Sequence, residues 1–395
     1  MKKCFFGAIA VLALASCSNE KVVELSQDQE IKLTAVTGKA LSRAADSYCN
    51  KNMPANFKVW ANVPTNKVYF SGDQFDREGT SSNYKNNGDA RYWPNGSINL
   101  FACLNANPDW TDNKSTLIVK DFEVNGTVAQ QVDFIYAMQA VPSKPAANTR
   151  VAINFRHALS QVEFQARNEN TKIHVEVKGV SVCRVANINT FTFPTTSTTP
   201  NHESTGAGGA HTTLPSGPIS NQGTWATKTV NEQVVADAKG EATYTVELAN
   251  ENVVTVGSEN TSITVPTGEF DDNTMILMPQ TITAWNKVVE SGAPAGTGSY
   301  LLLNCKIWNK AGSDFNSGTD VLLWPKTGSD YANIAIPFSG TWEQGKRYIY
   351  TFVFTSTGNG GTDPGTGDEV LTPIKLNVTV DDFVEGGNTD VPMVK

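Results

Sequence analysis

Histidine is scarce in this chain and charge is sparse: four histidines among 395 residues, with charged side chains at only 18%. Four histidines leave few general bases and few metal ligands. The net charge of -8 lacks the basic footprint that nucleic acid needs, so no nucleic-acid partner is expected. There is no G-x-S-x-G, H-E-x-x-H or Walker loop. None of the cysteines forms a C-x-x-C pair, which argues against zinc and thioredoxin-like chemistry. Beyond the N-terminus no 18 apolar residues run together, so no later segment reads as a membrane-spanning helix. No amphipathic helix of ordinary length is legible either. These absences point away from an enzyme, and neither a cofactor nor a metal is expected.

What is present begins at the N-terminus. Lys2 and Lys3 precede an apolar run from Phe5 to Ala15, too short to cross a bilayer. It ends Leu14-Ala15-Ser16-Cys17 and is followed by polar Ser18-Asn19-Glu20. This resembles the lipobox of bacterial lipoproteins. The resemblance implies a signal peptide over 1–16, lipid on the Cys17 thiol and an outer-membrane precursor. With Cys4 and Cys17 set aside, Cys49, Cys103, Cys183 and Cys305 remain. Their spacing selects none of the three possible pairings, and buried free thiols suit a large core equally well.

Behind the signal lies Glu30 to Ala45, EIKLTAVTGKALSRAA. Ile31, Leu33 and Ala35 alternate with Lys32 and Thr34, a strand pattern, and the stretch ends at Arg43 among small residues. Short apolar and β-branched runs then alternate with Gly/Pro/Asn turns. Phe57 to Val63 has period two, Asn86-Asn87-Gly88-Asp89 is a turn, and Ile98 to Ala102 is a strand. Residues 142–149, PSKPAANT, carry two prolines and no bulky apolar side chain, which predicts a domain boundary. Val151 to Arg167 reads as two strand halves joined by a bulge, in preference to a helix marked by Phe155, Leu159 and Val162. Residues 194–224 are Ser/Thr/Gly/Pro-rich, which predicts a long loop or a partly disordered insertion. Six strands follow to Phe354. Residues 356–368 are glycine-rich and predict a flexible linker. Ile374 to Val380 is the last strand. The pattern is all-β, of sandwich type.

Few residues invite a chemical reading. His157, in Phe155-Arg156-His157-Ala158, is expected to be structural. His202 and His211 sit in the long loop. Asp271-Asp272-Asn273 lacks calcium-loop spacing and reads as a turn, as do Asp381-Asp382 and Asp109/Asp112. Eight tryptophans raise the alternative of a sugar-stacking platform on a carbohydrate-binding surface lipoprotein, although scattered tryptophans are usually core and rim.

Taken together, the chain resembles the fimbrillin family of Bacteroidetes, the lipoprotein pilins of the FimA/Mfa type. The features are the lipobox at Cys17, the strand ending at Arg43, Tyr92-Trp93-Pro94, Phe155-Arg156-His157-Ala158-Leu159-Ser160, Met278-Pro279-Gln280, Trp342 to Tyr348, and the closing strand 374–384. The resemblance implies two transthyretin-like β-sandwich domains in tandem. It implies a lipidated propeptide over 17–43 with a removable strand, then domains over 44–145 and 146–369, and a donor-strand segment over 370–395. An arginine-specific protease would cut between Arg43 and Ala44. The vacated groove would then take a strand from another copy or a related fimbrial subunit.

The two terminal strands offer an internal check. Ile31-Lys32-Leu33-Thr34-Ala35 and Ile374-Lys375-Leu376-Asn377-Val378 both read I-K-L, polar, then small or branched apolar. Alternate side chains of either strand point to one face, so a groove shaped for Ile31, Leu33 and Ala35 suits Ile374, Leu376 and Val378, with Val380 next in line.

Overall fold

The computed structural model describes residues 25–37, 54–198, 221–226, 241–254, 256–257, 259–264, 274–357, 360–370, 372–382 and 390–391. Among these residues the structure is all-β, and the only helical pieces are the short turns Pro64–Asn66 and Val128–Gln130. No helix among them is long and apolar enough to cross a membrane.

The first unit is built from β1 (Leu25–Glu30), β2 (Lys32–Thr37), β3 (Asn56–Val63), β4 (Lys67–Arg77), β5 (Asn83–Asn86), β6 (Tyr92–Pro94) and β7 (Ile98–Leu104). It also takes β10 (Ile135–Val141) and β11 (Val151–His157), which follow the short β8 (Asp109–Trp110) and β9 (Leu117–Glu123). Seven of these strands close on themselves in the order β10-β11-β2-β5-β4-β3-β7. Period-two alternation sends Phe57, Val59 and Ala61 of β3 and Ile98, Leu100 and Ala102 of β7 into the ring. β1 lies outside it, antiparallel to β6.

Three neighbouring strands of the ring also send apolar side chains outward. Trp60 of β3, Phe101 and Cys103 of β7, and Tyr136 and Met138 of β10 point out of the ring and are buried in a second core. Strands buried on both faces read as continuous apolar runs, as FACL and IYAM do here. Their outer cover includes β8 and β9, which share a sheet with β14 (Ile188–Thr192) and β15 (Thr224–Trp225). Phe122, Phe134, Phe191 and Trp225 pack ring against ring there, at centroid distances of 5.0 to 6.2 Å.

The second unit is a sandwich. One sheet contains β12 (Ser160–Asn168), β17 (Thr261–Ser262), β18 (Met275–Leu277), β22 (Lys346–Phe354), β23 (Ile374–Asp382) and β24 (Asp390–Val391). The other contains β13 (Ile173–Ala186), β16 (Glu241–Val253), β19 (Tyr300–Asn309), β20 (Val321–Trp324) and β21 (Ala332–Pro337). Inward residues of both sheets, such as Phe164, Val177, Leu303 and Phe352, meet in the second core.

Three expectations need correction. The stretch 151–167 is not one bulged strand. β11 belongs to the first ring and β12 to the second unit, with only Ala158 and Leu159 between them. The change of sheet therefore falls at 158–159 and not in the proline-containing break at 142–149, because Ile153 and Phe155 complete the ring's core. Residues 360–370 are not a free linker. Ala335 and Thr362 exchange two backbone hydrogen bonds of 2.8 Å, and the Val370 amide donates to the Gly361 carbonyl at 2.8 Å. The glycines there permit close packing: a Cβ on Gly361 would stand 1.9 Å from Ile334 Cγ2.

Gly361→Val should accordingly lower stability by about 1–3 kcal/mol through overpacking, read as a lower urea midpoint with an unchanged slope.

Candidate functional site

Without β2 the ring is open between β11 and β5. β2 runs parallel to β11, with Leu33 opposite Val151 and Thr37 opposite Phe155. On its other edge it runs antiparallel to β5, with Lys32 opposite Lys85 and Thr34 opposite Asn83. Ile31, Leu33 and Ala35 are 0%, 0% and 2% exposed, while Lys32 and Thr34 face outward. Burial on this scale is worth roughly 1.5–3 kcal/mol for each of the two large side chains.

Polar contacts fix the strand at both ends. The Ile31 amide donates to the Arg91 carbonyl at 2.6 Å, and the Ala35 amide to the Ser82 carbonyl at 2.9 Å. Gln29 Nε2 donates to the Ala146 carbonyl at 2.8 Å, and Thr34 Oγ1 to Asn83 Oδ1 at 3.0 Å. Arg150, directly ahead of β11, donates to the carbonyls of Leu33 at 3.4 Å and Tyr84 at 3.1 Å, and its guanidinium is paired with Glu78. Tyr84, opposite Leu33, is fully buried and donates its hydroxyl to the Pro54 carbonyl at 2.7 Å. Burial pushes its phenol up to about 12, against a smaller opposing pull from Arg77.

Sequence reasoning found Ile31, Leu33 and Ala35 but not Arg150, Glu78 or Tyr84. The available signal for Tyr84 was the short alternation Asn83-Tyr84-Lys85-Asn86. For Arg150 it was the charge placed between the proline-containing break and the apolar strand. Cys17, Arg43 and Ala44 lie outside the described residues, as do Cys49, His202, His211 and 271–273.

The C-terminal strand sits elsewhere. β23 is antiparallel to β22 along its whole length, from Ile374 opposite Phe354 to Asp382 opposite Lys346. Ile374 and Val378 are buried, and Leu376 and Val380 are half-buried against the second core. Lys375 and Asn377 are exposed. Both I-K-L strands therefore turn the same alternate side chains inward, but toward different cores, and the monomer does not bring them together.

Other candidate residues are engaged structurally. His157 is buried with Nδ1 2.7 Å from Asp133 Oδ2, where β11 leaves the ring. Cys103, Cys183 and Cys305 are buried free thiols; burial raises all three, Cys183 to about 11. Among the described residues no group of three or more His, Cys, Asp or Glu is placed to hold a metal ion. The tryptophans form no exposed platform: Trp60, Trp93, Trp285, Trp324 and Trp342 are buried. Trp110 and Trp225 are half-buried and donate to Ser71 Oγ and the Ala158 carbonyl, and Trp308 lies against Phe315. The tryptophans are thus core and rim, as expected, and the sugar-stacking alternative finds no support in their placement.

A sequence model of a family described as fimbrillin-like matches residues 42–382. The match starts one residue before Arg43 and leaves out β1 and β2. No curated protein matches the chain. Among solved structures, the chain is similar to a fimbrial protein from Bacteroides vulgatus ATCC 8482. The TM-score is 0.51 at 10% identity, over 89% of this chain and 99% of that one. It is also similar to a fimbrial assembly protein from Parabacteroides distasonis ATCC 8503, with a TM-score of 0.38 at 9% identity, over 92% of this chain and 99% of that one. At such identity the Bacteroides vulgatus likeness is one of fold.

Two outcomes follow from the geometry of β2. Leu33→Ala should destabilise the ring by about 2–5 kcal/mol, measured by chemical denaturation. The Tyr84 phenol has a folded value above its ordinary 10, so its contribution is complete below pH 10 and is lost as pH rises through about 12. Stability should fall over that window, and Tyr84→Phe should make the fall shallower in denaturant midpoints taken across it. Buried Tyr136 and Tyr300, also pushed up to about 12, keep the remainder.

Proposed function

The chain belongs to the fimbrillin-like family, and from that membership we propose that it is a structural subunit of a cell-surface fimbria, exported as a lipoprotein, cut after Arg43 and polymerised by strand exchange. The observation that carries the proposal is the position of β2. Ile31, Leu33 and Ala35 complete the ring's core, yet they belong to a segment that a cut between Arg43 and Ala44 would sever from the rest. Loss of that segment removes the shared neighbour of β11 and β5. It leaves unpaired backbone groups on both and an apolar groove that keeps the spacing of three alternate side chains. An open edge of this kind recruits another strand.

β2 lies on the arc of the ring away from the doubly buried strands β3, β7 and β10, so the groove opens without breaking the join to the second unit. That supports release of the first strand by a protease acting on an otherwise intact subunit.

The donor is Ile374 to Val380 of another copy or of a related subunit. In the monomer that strand is parked on β22, so donation is a competition between two sheets. On β22 it has one full-length partner and, on its other edge among the described residues, only the pairs Val378–Val391 and Thr379–Asp390. In the groove it would have β11 on one edge and β5 on the other. Bonding on both edges, together with Ile374, Leu376 and Val378 in the places of Ile31, Leu33 and Ala35, favours the groove.

The test treats the purified precursor with an arginine-specific protease and sequences the new N-terminus. We expect a product starting at Ala44 and a ladder of multimers on unboiled gels. Arg43→Ala should abolish both, and a soluble 374–384 peptide should bind the cut monomer and cap the ladder. A product starting at Ala44 that stays monomeric and does not bind the peptide overturns the proposal.

A further inference from the structure

Among the described strand pairs only two are parallel: β2 with β11, and β12 with β22. They are not independent. β11 leads into β12 through Ala158 and Leu159 alone, and this link is held on every side. The Ala158 amide donates to the Phe134 carbonyl at 2.8 Å, and Trp225 Nε1 to the Ala158 carbonyl at 2.7 Å. The Gly345 amide donates to the Leu159 carbonyl at 2.8 Å, and Ser160 Oγ to the Glu343 carbonyl at 2.9 Å.

We propose that these two parallel pairs form one line along which the subunit carries tension, loaded lengthwise at both. The inference rests on the strand-exchange reading for the origin of the load. A donor in the place of β2 is pulled from its N-terminal end, beside Val151. β11 passes the pull on from its other end, at His157. The two strands of the pair are thus drawn from opposite ends, and all their hydrogen bonds are loaded together. The same holds one step further on. Tension reaches β12 at Ser160, and with β23 donated it leaves β22 beyond Phe354. β12 and β22 are parallel from Gln161 opposite Arg347 to Asn168 opposite Phe354, so they too are drawn from opposite ends. Antiparallel strands joined in this order would be pulled from one end and would open bond by bond.

A further contact reinforces the second pair. Arg347 of β22 grips Glu163 of β12 with two hydrogen bonds, Nε to Oε1 at 2.9 Å and Nη2 to Oε2 at 2.6 Å. Glu163 is only 3% exposed, so this charge-assisted fork between the strands is shielded from water.

Parked β23 behaves differently. Its Asp382 end lies beside Lys346, at the end of the sheet where β12 begins. A pull on the C-terminus of the monomer therefore peels it away from Asp382 toward Ile374.

The test is single-molecule pulling on the full-length uncut monomer with bio-orthogonal handles at exposed positions. Handles at Asn148 and Ser356 load β11, β12 and β22 lengthwise. Handles at Lys172 and Ser356 pull β12 and β22 apart from one end. We expect the first arrangement to rupture at roughly twice the force of the second or more. Equal rupture forces overturn the inference. Neither measurement needs strand exchange. A chain that shows the force difference but forms no multimers counts against the assembly reading and leaves the tension line standing.

Discussion

The first unit depends on one strand that the rest of the ring cannot replace from within. β2 supplies hydrogen bonds to β11 on one edge and β5 on the other, and three side chains to a core that has no other source for them. The ring's remaining strands all lie between Asn56 and His157. β2 instead arrives from beyond a stretch that contains Arg43. The proposed cut after Arg43 would give this keystone a covalent fate separate from the rest of the ring. The arrangement costs little while the chain is intact, because Ile31, Leu33 and Ala35 are packed as well as any residues in the core.

The second constraint is the join between units. Trp60, Phe101, Tyr136 and Met138 have their backbones in the ring and their side chains in the second core. With the aromatic cluster of Phe122, Phe134, Phe191 and Trp225, they make the two units share apolar surface rather than meet at a polar interface. The buried His157–Asp133 pair and the bonded Ala158–Leu159 link stand at the same place. β2 lies on the far arc of the ring, where Lys32, Thr34 and Lys85 face outward.

Much of this was legible in the residues. Ile31, Leu33 and Ala35 announce a strand by simple alternation, and Ile374 to Val380 does the same, because period two is a local property of the chain. The pairing partners were not legible. Nothing in Val151 to Arg167 says that its halves serve different sheets, since both halves alternate well and only the burial of Ile153 and Phe155 against β2 decides the matter. The proline-containing break misled for the same reason: a turn signal reports a change of direction and not a change of sheet. The glycines of 360–370 carried two opposite meanings, freedom or close approach, and contact with Ile334 selects the second. The roles of Arg150 and Tyr84 are not legible in the sequence, because they depend on carbonyl groups brought close by segments distant in the chain.

The likeness of the two I-K-L strands takes on a physical meaning once their surroundings are compared. Each strand turns isoleucine, leucine and a smaller apolar residue toward a closed core, and each turns lysine and a polar residue toward solvent. The difference lies at the third inward position, Ala35 against Val378. Ala35 is 2% exposed beside Ile153 of β11, in a ring already filled by aromatic side chains. Two added methyl groups are worth about 1–2 kcal/mol where space exists and cost a similar amount where it does not. The resident strand is therefore the smaller of the two, and the strand-exchange proposal requires the ring to make room at Ala35 before Val378 can take its place.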